Sequence, residues 1–95
     1  MTQPDVQVVR DALLSAAARH GMRRVRVFGS AARGDGGEGS DLDLLVDVAP
    51  GRSLLDVIAF TQEAEDILRC KVDVVTDGGM SPYLRDRIYA DAVPL

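Results

Sequence analysis

Val27-Phe28-Gly29-Ser30-Ala31-Ala32-Arg33-Gly34-Asp35, followed by Ser40-Asp41-Leu42-Asp43-Leu44-Leu45-Val46, is the stretch on which the reading of this chain turns. Ten residues separate Gly29-Ser30 from Asp41-Leu42-Asp43. Side chains alternate along a strand, so Asp41 and Asp43 point to the same face. Leu42, Leu44, Val46 and Val48 then form the apolar face, and Asp41, Asp43, Leu45 and Asp47 the opposite one. Two carboxylates aimed one way repel each other unless a cation lies between them, and Mg²⁺ takes one or two carboxylates together with water and phosphate oxygens. Upstream, Gly29 lets the backbone turn and approach a ligand closely, while Ser30 adds a donor. A helical turn starting at Ser30 would present free N–H groups to an anion. Together these residues describe a site for a metal-bound nucleoside triphosphate. Arg33 and Ser40 are further candidates for phosphate contact, against the plainer roles of a solvated arginine and a loop-stapling serine.

Outward from this stretch, the chain alternates between two hydrophobic periods. Val6, Val9, Leu13 and Ala16/Ala17 recur at helical spacing, which predicts a helix over Asp5–His20 that stops at Gly21. Arg23–Phe28 switches to period two, with Val25 and Val27 on one face and Arg24 and Arg26 on the other: a half-buried strand. Gly29–Ser40 reads as a loop with one helical turn at 30–33, and Asp41–Val48 as a second strand. After Pro50-Gly51, Ser53 is a plausible N-cap for a helix to about Arg69, with Asp56 in its first turn and Leu54, Val57/Ile58, Ala64 and Ile67/Leu68 as its buried stripe. Lys71–Thr76 is a short third strand and Asp77-Gly78-Gly79 a turn. Ser81-Pro82 opens a last helix to about Ala90. The order α-β-β-α-β-α predicts an α/β (α+β) fold, a small mixed sheet with helices packed on it. The link between the first two strands is short for a crossover, so those strands should be antiparallel.

Asp73 alternates with Val72 and Val74 and so faces away from the apolar side of its strand. A neighbouring strand could bring it beside Asp41 and Asp43. Three carboxylates, two for metal ions and one to accept a proton from an attacking hydroxyl, suit two-metal transfer to a nucleoside phosphate. Spacing alone leaves Asp47 and Asp77 as rivals to Asp73.

The composition bounds the rest. Ninety-five residues suffice for one domain spanning 1–95, and 46% hydrophobic content with mixed charge indicates a globular chain. A formal charge of −4 argues against a domain built to grip nucleic acid. No apolar run approaches a membrane span and the N-terminus lacks the layout of a secretory signal, so the expected location is the cytoplasm. Cys70, the single cysteine, excludes an internal disulfide and a cysteine-based zinc site, and reads as a buried small hydrophobe. His20 reads as a helix-end residue with a cationic or capping role. Arg23, Arg24 and Arg26 read as the wet face of a strand, and Tyr83 and Tyr89 as closing the core or serving a protein interface.

The two quoted segments resemble the minimal nucleotidyltransferase (MNT) family of the DNA polymerase beta superfamily. Its signature of Gly-Ser, ten residues and Asp-x-Asp is met at Gly29, Ser30, Asp41 and Asp43, and the resemblance covers nearly the whole chain. It implies that Asp41 and Asp43 bind two Mg²⁺ ions and that the Gly-Ser turn holds the triphosphate. It also favours Asp73, within Lys71-Val72-Asp73-Val74-Val75, as the third carboxylate, which helps bind metal and activates the nucleophile. Such domains resemble antitoxins paired with HEPN-domain ribonuclease toxins, whose active members transfer AMP from ATP to a toxin tyrosine. A chain without a separate substrate-binding domain suits a protein acceptor. Transfer to a small molecule such as an antibiotic, and neutralisation of a toxin by docking alone, are the alternatives.

Overall fold

The computed structural model describes residues 8–29, 42–79 and 81–95. Helix α1 covers Arg10–Arg19, strand β1 Met22–Phe28, strand β2 Leu42–Val48 and helix α2 Leu54–Leu68. Strand β3 covers Val72–Thr76 and runs into a 3₁₀ turn at Asp77–Gly79, after which come helix α3, Pro82–Asp91, and a two-residue strand β4, Val93–Pro94. The sheet order is β3-β2-β1-β4. As the short connection predicts, β1 and β2 are antiparallel, with Val27 opposite Leu44 and Phe28 opposite Asp43. The β2–β3 pair is parallel, and α2 makes the crossover that a parallel pair requires.

One face of the sheet makes the core. Leu42, Leu44 and Val46 of β2, Val25 and Val27 of β1 and Val72 of β3 pack with Leu13, Ala16 and Ala17 of α1 and with Val57, Phe60, Ala64 and Leu68 of α2. These α2 positions recur at three or four residues and so form one stripe. Leu54 and Ile58, expected in it, are 72% and 44% exposed. Leu54 belongs to the first turn, ahead of the buried stripe, and Ile58 lies one helical step to the side of Val57. The start of α2 follows expectation: the Asp56 carboxylate accepts from the Ser53 backbone N–H at 2.8 Å. Ser81 likewise caps α3, its Oγ accepting from Tyr83 N–H at 3.3 Å.

Helix α1 begins at Arg10, with Val9 as N-cap; Asp5 and Val6, where the expected helix began, lie outside the described residues. Arg19 and His20 tie its C-terminus to α2. The Arg19 guanidinium pairs through two nitrogens with Glu63, and His20 Nε2 lies 2.8 Å from Glu63 Oε1. The His20 backbone N–H also closes the helix on the Ala16 and Ala17 carbonyls.

Period two fails inside β1. Arg24 has φ +52° and the register with β2 shifts between Arg23 and Arg26, the mark of a bulge. Arg23 and Arg24 are exposed, as expected of a wet face, but Arg26 is a correction: on the sheet face opposite the core it is only 8% exposed. There its Nη2 donates to Asp77 Oδ2 at 2.9 Å and its Nε to the Arg24 carbonyl at 2.7 Å. The Tyr89 hydroxyl donates to the other Asp77 oxygen at 2.5 Å, and the guanidinium lies 5.8 Å from the Tyr89 ring centroid. Tyr89 thus pins α3 to β1 and to the end of β3. Tyr83 closes no core; it is 92% exposed. Cys70 is only half-buried, at the edge of the core cluster.

Candidate active site

Asp43 is the second residue of β2 and Asp73 the second residue of β3, and the parallel register sets them side by side. Neighbouring strands lie about 4.8 Å apart, and residues in register share a face, so the two carboxylates rise from adjacent positions on the side away from the core. Of the two aspartates expected beside Asp73, the structure brings Asp43 there; Asp41 lies outside the described residues. Phe28 is opposite Asp43 on the other flank, and Gly29 turns the chain immediately beyond it with φ +74°. A Cβ placed on Gly29 would stand 2.5 Å from Asp43 Oδ2. The left-handed backbone favours glycine here, and any side chain would also push the Asp43 carboxylate aside.

The rivals to Asp73 have other partners. Asp47, further along β2, accepts from Arg23 Nη2 at 3.0 Å. Asp77 serves Arg26 and Tyr89. Burial by itself raises the Asp77 carboxyl, but the Tyr89 hydroxyl and the Arg26 guanidinium outweigh it and hold the group below the usual carboxylate range. Ser30, Arg33, Ser40 and Asp41 lie outside the described residues.

On the face carrying Asp43 and Asp73, Asp73 is exposed and Asp43 half-buried, whereas the far end of the face is covered. Leu45 follows Asp43 on this face and is fully buried, paired across the sheet with Arg26 and Val75. Arg26, Asp77 and Tyr89 form the cover. Alternation along β2 places Leu45 on the carboxylate face but does not show what buries it. That single apolar residue between Asp43 and Asp47 was the signal that something lies over this end of the sheet.

Two carboxylates on adjacent strands, with a glycine beside one of them, form a hard oxygen donor set that fits Mg²⁺ rather than a soft metal. No group of three His, Cys, Asp or Glu side chains placed to hold a metal occurs among the described residues.

An antiparallel β1–β2 pair with a glycine turn after β1, a carboxylate early in β2 and another beside it on a parallel β3 is the frame of a nucleotidyl-transferring enzyme. Residues 9–95 match the model of the nucleotidyltransferase domain, and the chain belongs to that family. It is 37% identical over 89 residues to the "Putative protein adenylyltransferase MJ0435" of Methanocaldococcus jannaschii, an alignment that spans 94% of this chain and 96% of that one. Among solved structures, one described as that of a "putative minimal nucleotidyltransferase" superposes with a TM-score of 0.86 at 48% identity, covering 95% of this chain and 92% of the other. A chain from the complex of tri-AMPylated Shewanella oneidensis HEPN toxin with MNT antitoxin superposes with a TM-score of 0.71 over 95% of this chain and 71% of its own; at 16% identity that likeness is one of fold.

Proposed function

We propose that this protein is a Mg²⁺-dependent adenylyltransferase that moves AMP from ATP to a tyrosine of a HEPN toxin, and so acts as an antitoxin. The observation that carries the reading is the Asp43–Asp73 pair beside Gly29, in a chain of the nucleotidyltransferase family. The names of its relatives support the acceptor. One similar protein is called a protein adenylyltransferase, and one structure of the same fold is a complex with an AMPylated HEPN toxin.

In this reading Asp43, with Asp41 two residues before it, holds Mg²⁺, and Asp73 completes the carboxylate set. When bound, the metal neutralises triphosphate charge and polarises the α-phosphate. The Gly29-Ser30 turn brings backbone N–H groups to the phosphates, assisted by Arg33 and Ser40. The tyrosine oxygen forms a bond to the α-phosphorus while the bond to the bridging oxygen breaks and pyrophosphate leaves in line. Asp73, exposed at the rim of the face, takes the phenolic proton. The new phosphodiester adds negative charge to the toxin, which opposes binding of its RNA.

The test is transfer of label from α-labelled ATP to the purified HEPN protein of the same organism. Label on that protein, lost on chelation of Mg²⁺ and mapped to tyrosine, is expected. Label on a small-molecule acceptor instead would support an antibiotic-type transferase, and neutralisation without label a docking antitoxin.

A further inference from the structure

The Lys71–Val72 peptide unit is gripped from both sides. Its carbonyl oxygen accepts from Leu42 N–H at 3.0 Å, which is the first rung between β2 and β3. The carbonyl and N–H of one peptide point in opposite directions, so the Val72 N–H is turned away from β2. It therefore points to the outer edge of β3, where no further strand lies among the described residues. There the Glu65 carboxylate, on the last full turn of α2, accepts it through Oε2 at 3.1 Å. Glu65 also uses its backbone: its carbonyl accepts from Arg69 N–H at 2.8 Å, as Arg69 turns left-handed with φ +58° and ends the helix. Only residues 69–71 then separate α2 from β3.

Leu42 and Val72, the two residues joined through this peptide, immediately precede Asp43 and Asp73. We infer that Glu65 is a positioning residue for the nucleotidyl-transfer site: it fixes the tilt of the Lys71–Val72 peptide and so the height and direction of Asp73 relative to Asp43. The inference rests on the function proposed above for that pair. An edge strand whose first N–H had only water as partner would fray from this end, and Asp73 is the first side chain of the site to move with it. What the role needs is a carbonyl-type oxygen at the right reach, not a charge.

Three variants separate these requirements. Glu65→Gln keeps an acceptor oxygen at the same distance; Glu65→Ala removes it; Glu65→Asp keeps the charge but withdraws the oxygen by one methylene. Each is measured for exchange of the Val72 amide, for Mn²⁺ affinity in the presence of ATP, and for kcat of AMP transfer. In Glu65→Ala and Glu65→Asp the Val72 amide should exchange faster, and Mn²⁺ affinity and kcat should fall about 10-fold, the lower end of the effect seen for groups that orient metal ligands. Glu65→Gln should stay close to wild type in all three. Unchanged Mn²⁺ affinity in Glu65→Ala and Glu65→Asp, or a Glu65→Gln as impaired as Glu65→Ala, overturns the assignment. A wild-type protein that binds Mn²⁺ with ATP yet transfers no AMP would defeat the proposed acceptor while leaving the clamp to stand or fall on amide exchange and metal affinity.

Discussion

At Gly29 one hydrogen atom decides what β2 can carry. The φ of +74° disfavours any L side chain by roughly 1–2 kcal/mol, and a Cβ would meet Asp43 Oδ2 at 2.5 Å. Gly29→Val should therefore lower stability by about that amount or more, as read by urea unfolding, and displace Asp43. Nucleotide titration should show a larger loss than in Ser30→Ala, where one neutral donor worth about 0.5–1.5 kcal/mol is removed. Unchanged nucleotide affinity in Gly29→Val would refute a phosphate-holding turn. The need for glycine was legible in the sequence, because Gly-Ser followed by two aspartates is informative without coordinates. That its hydrogen is packed against Asp43 was not, since contact across β1 and β2 depends on the register.

Among the elements, α3 is held in an unusual way. None of its ten residues is buried, so it lacks the apolar stripe that normally stabilises a short helix. Tyr89 is its main tie to the described sheet, through the hydrogen bond to Asp77 and the contact with Arg26. Tyr89→Phe keeps the ring and removes only the hydroxyl. It should cost on the order of 1 kcal/mol, below the usual range for bonds to charged groups because the residue is 41% exposed. Amides of α3 should exchange faster, and those of β1 and β2 should not. Uniform acceleration across the sheet would mean that α3 belongs to the cooperative core. The sequence foretold α3 and its Ser81 cap but not this attachment, because period two places Arg26 on the face away from the core without showing that Asp77 and Tyr89, distant in sequence, meet it there. Strand β4 was equally illegible. Two residues set no period, and β4 is defined by Arg26 and Val27 across the sheet and by the Leu95 N–H bond to the Val25 carbonyl.

For the whole molecule, the order of the main elements and the sense of the β1–β2 pair followed from local patterns. The switches between periods gave the succession of elements, and the short β1–β2 link gave the antiparallel pair. Tertiary contacts such as the Glu63–Arg19 ion pair and the Glu63–His20 hydrogen bond have no sequence signature, yet they bear on stability. Asp56, bonded by the Ser53 N–H, Glu63, bonded first by Arg19 and then by His20, and Asp77, where Tyr89 and Arg26 outweigh burial, are all held below their ordinary values. A carboxyl with a depressed folded-state pKa stabilises above its unfolded value, near 4, and loses that contribution as pH falls through the folded-state value. Thermal midpoints should therefore decline below about pH 4, and a combined Glu63→Gln, Asp77→Asn variant should decline less steeply from its lower starting point. An equally steep decline would place the acid-sensitive groups elsewhere.

Intact-mass spectrometry of the proposed HEPN partner, after incubation with Mg²⁺, ATP and either wild-type protein or Asp43→Asn, tests the central claim most directly. Asp43→Asn removes one charge from the facing pair without touching Leu42, Leu44 or Val46, so it should fold as wild type does by circular dichroism. The expected result is a mass increase of about 329 Da for each AMP added by the wild-type protein, and none with folded Asp43→Asn. An unmodified partner under both conditions, or equal modification by Asp43→Asn, would contradict it.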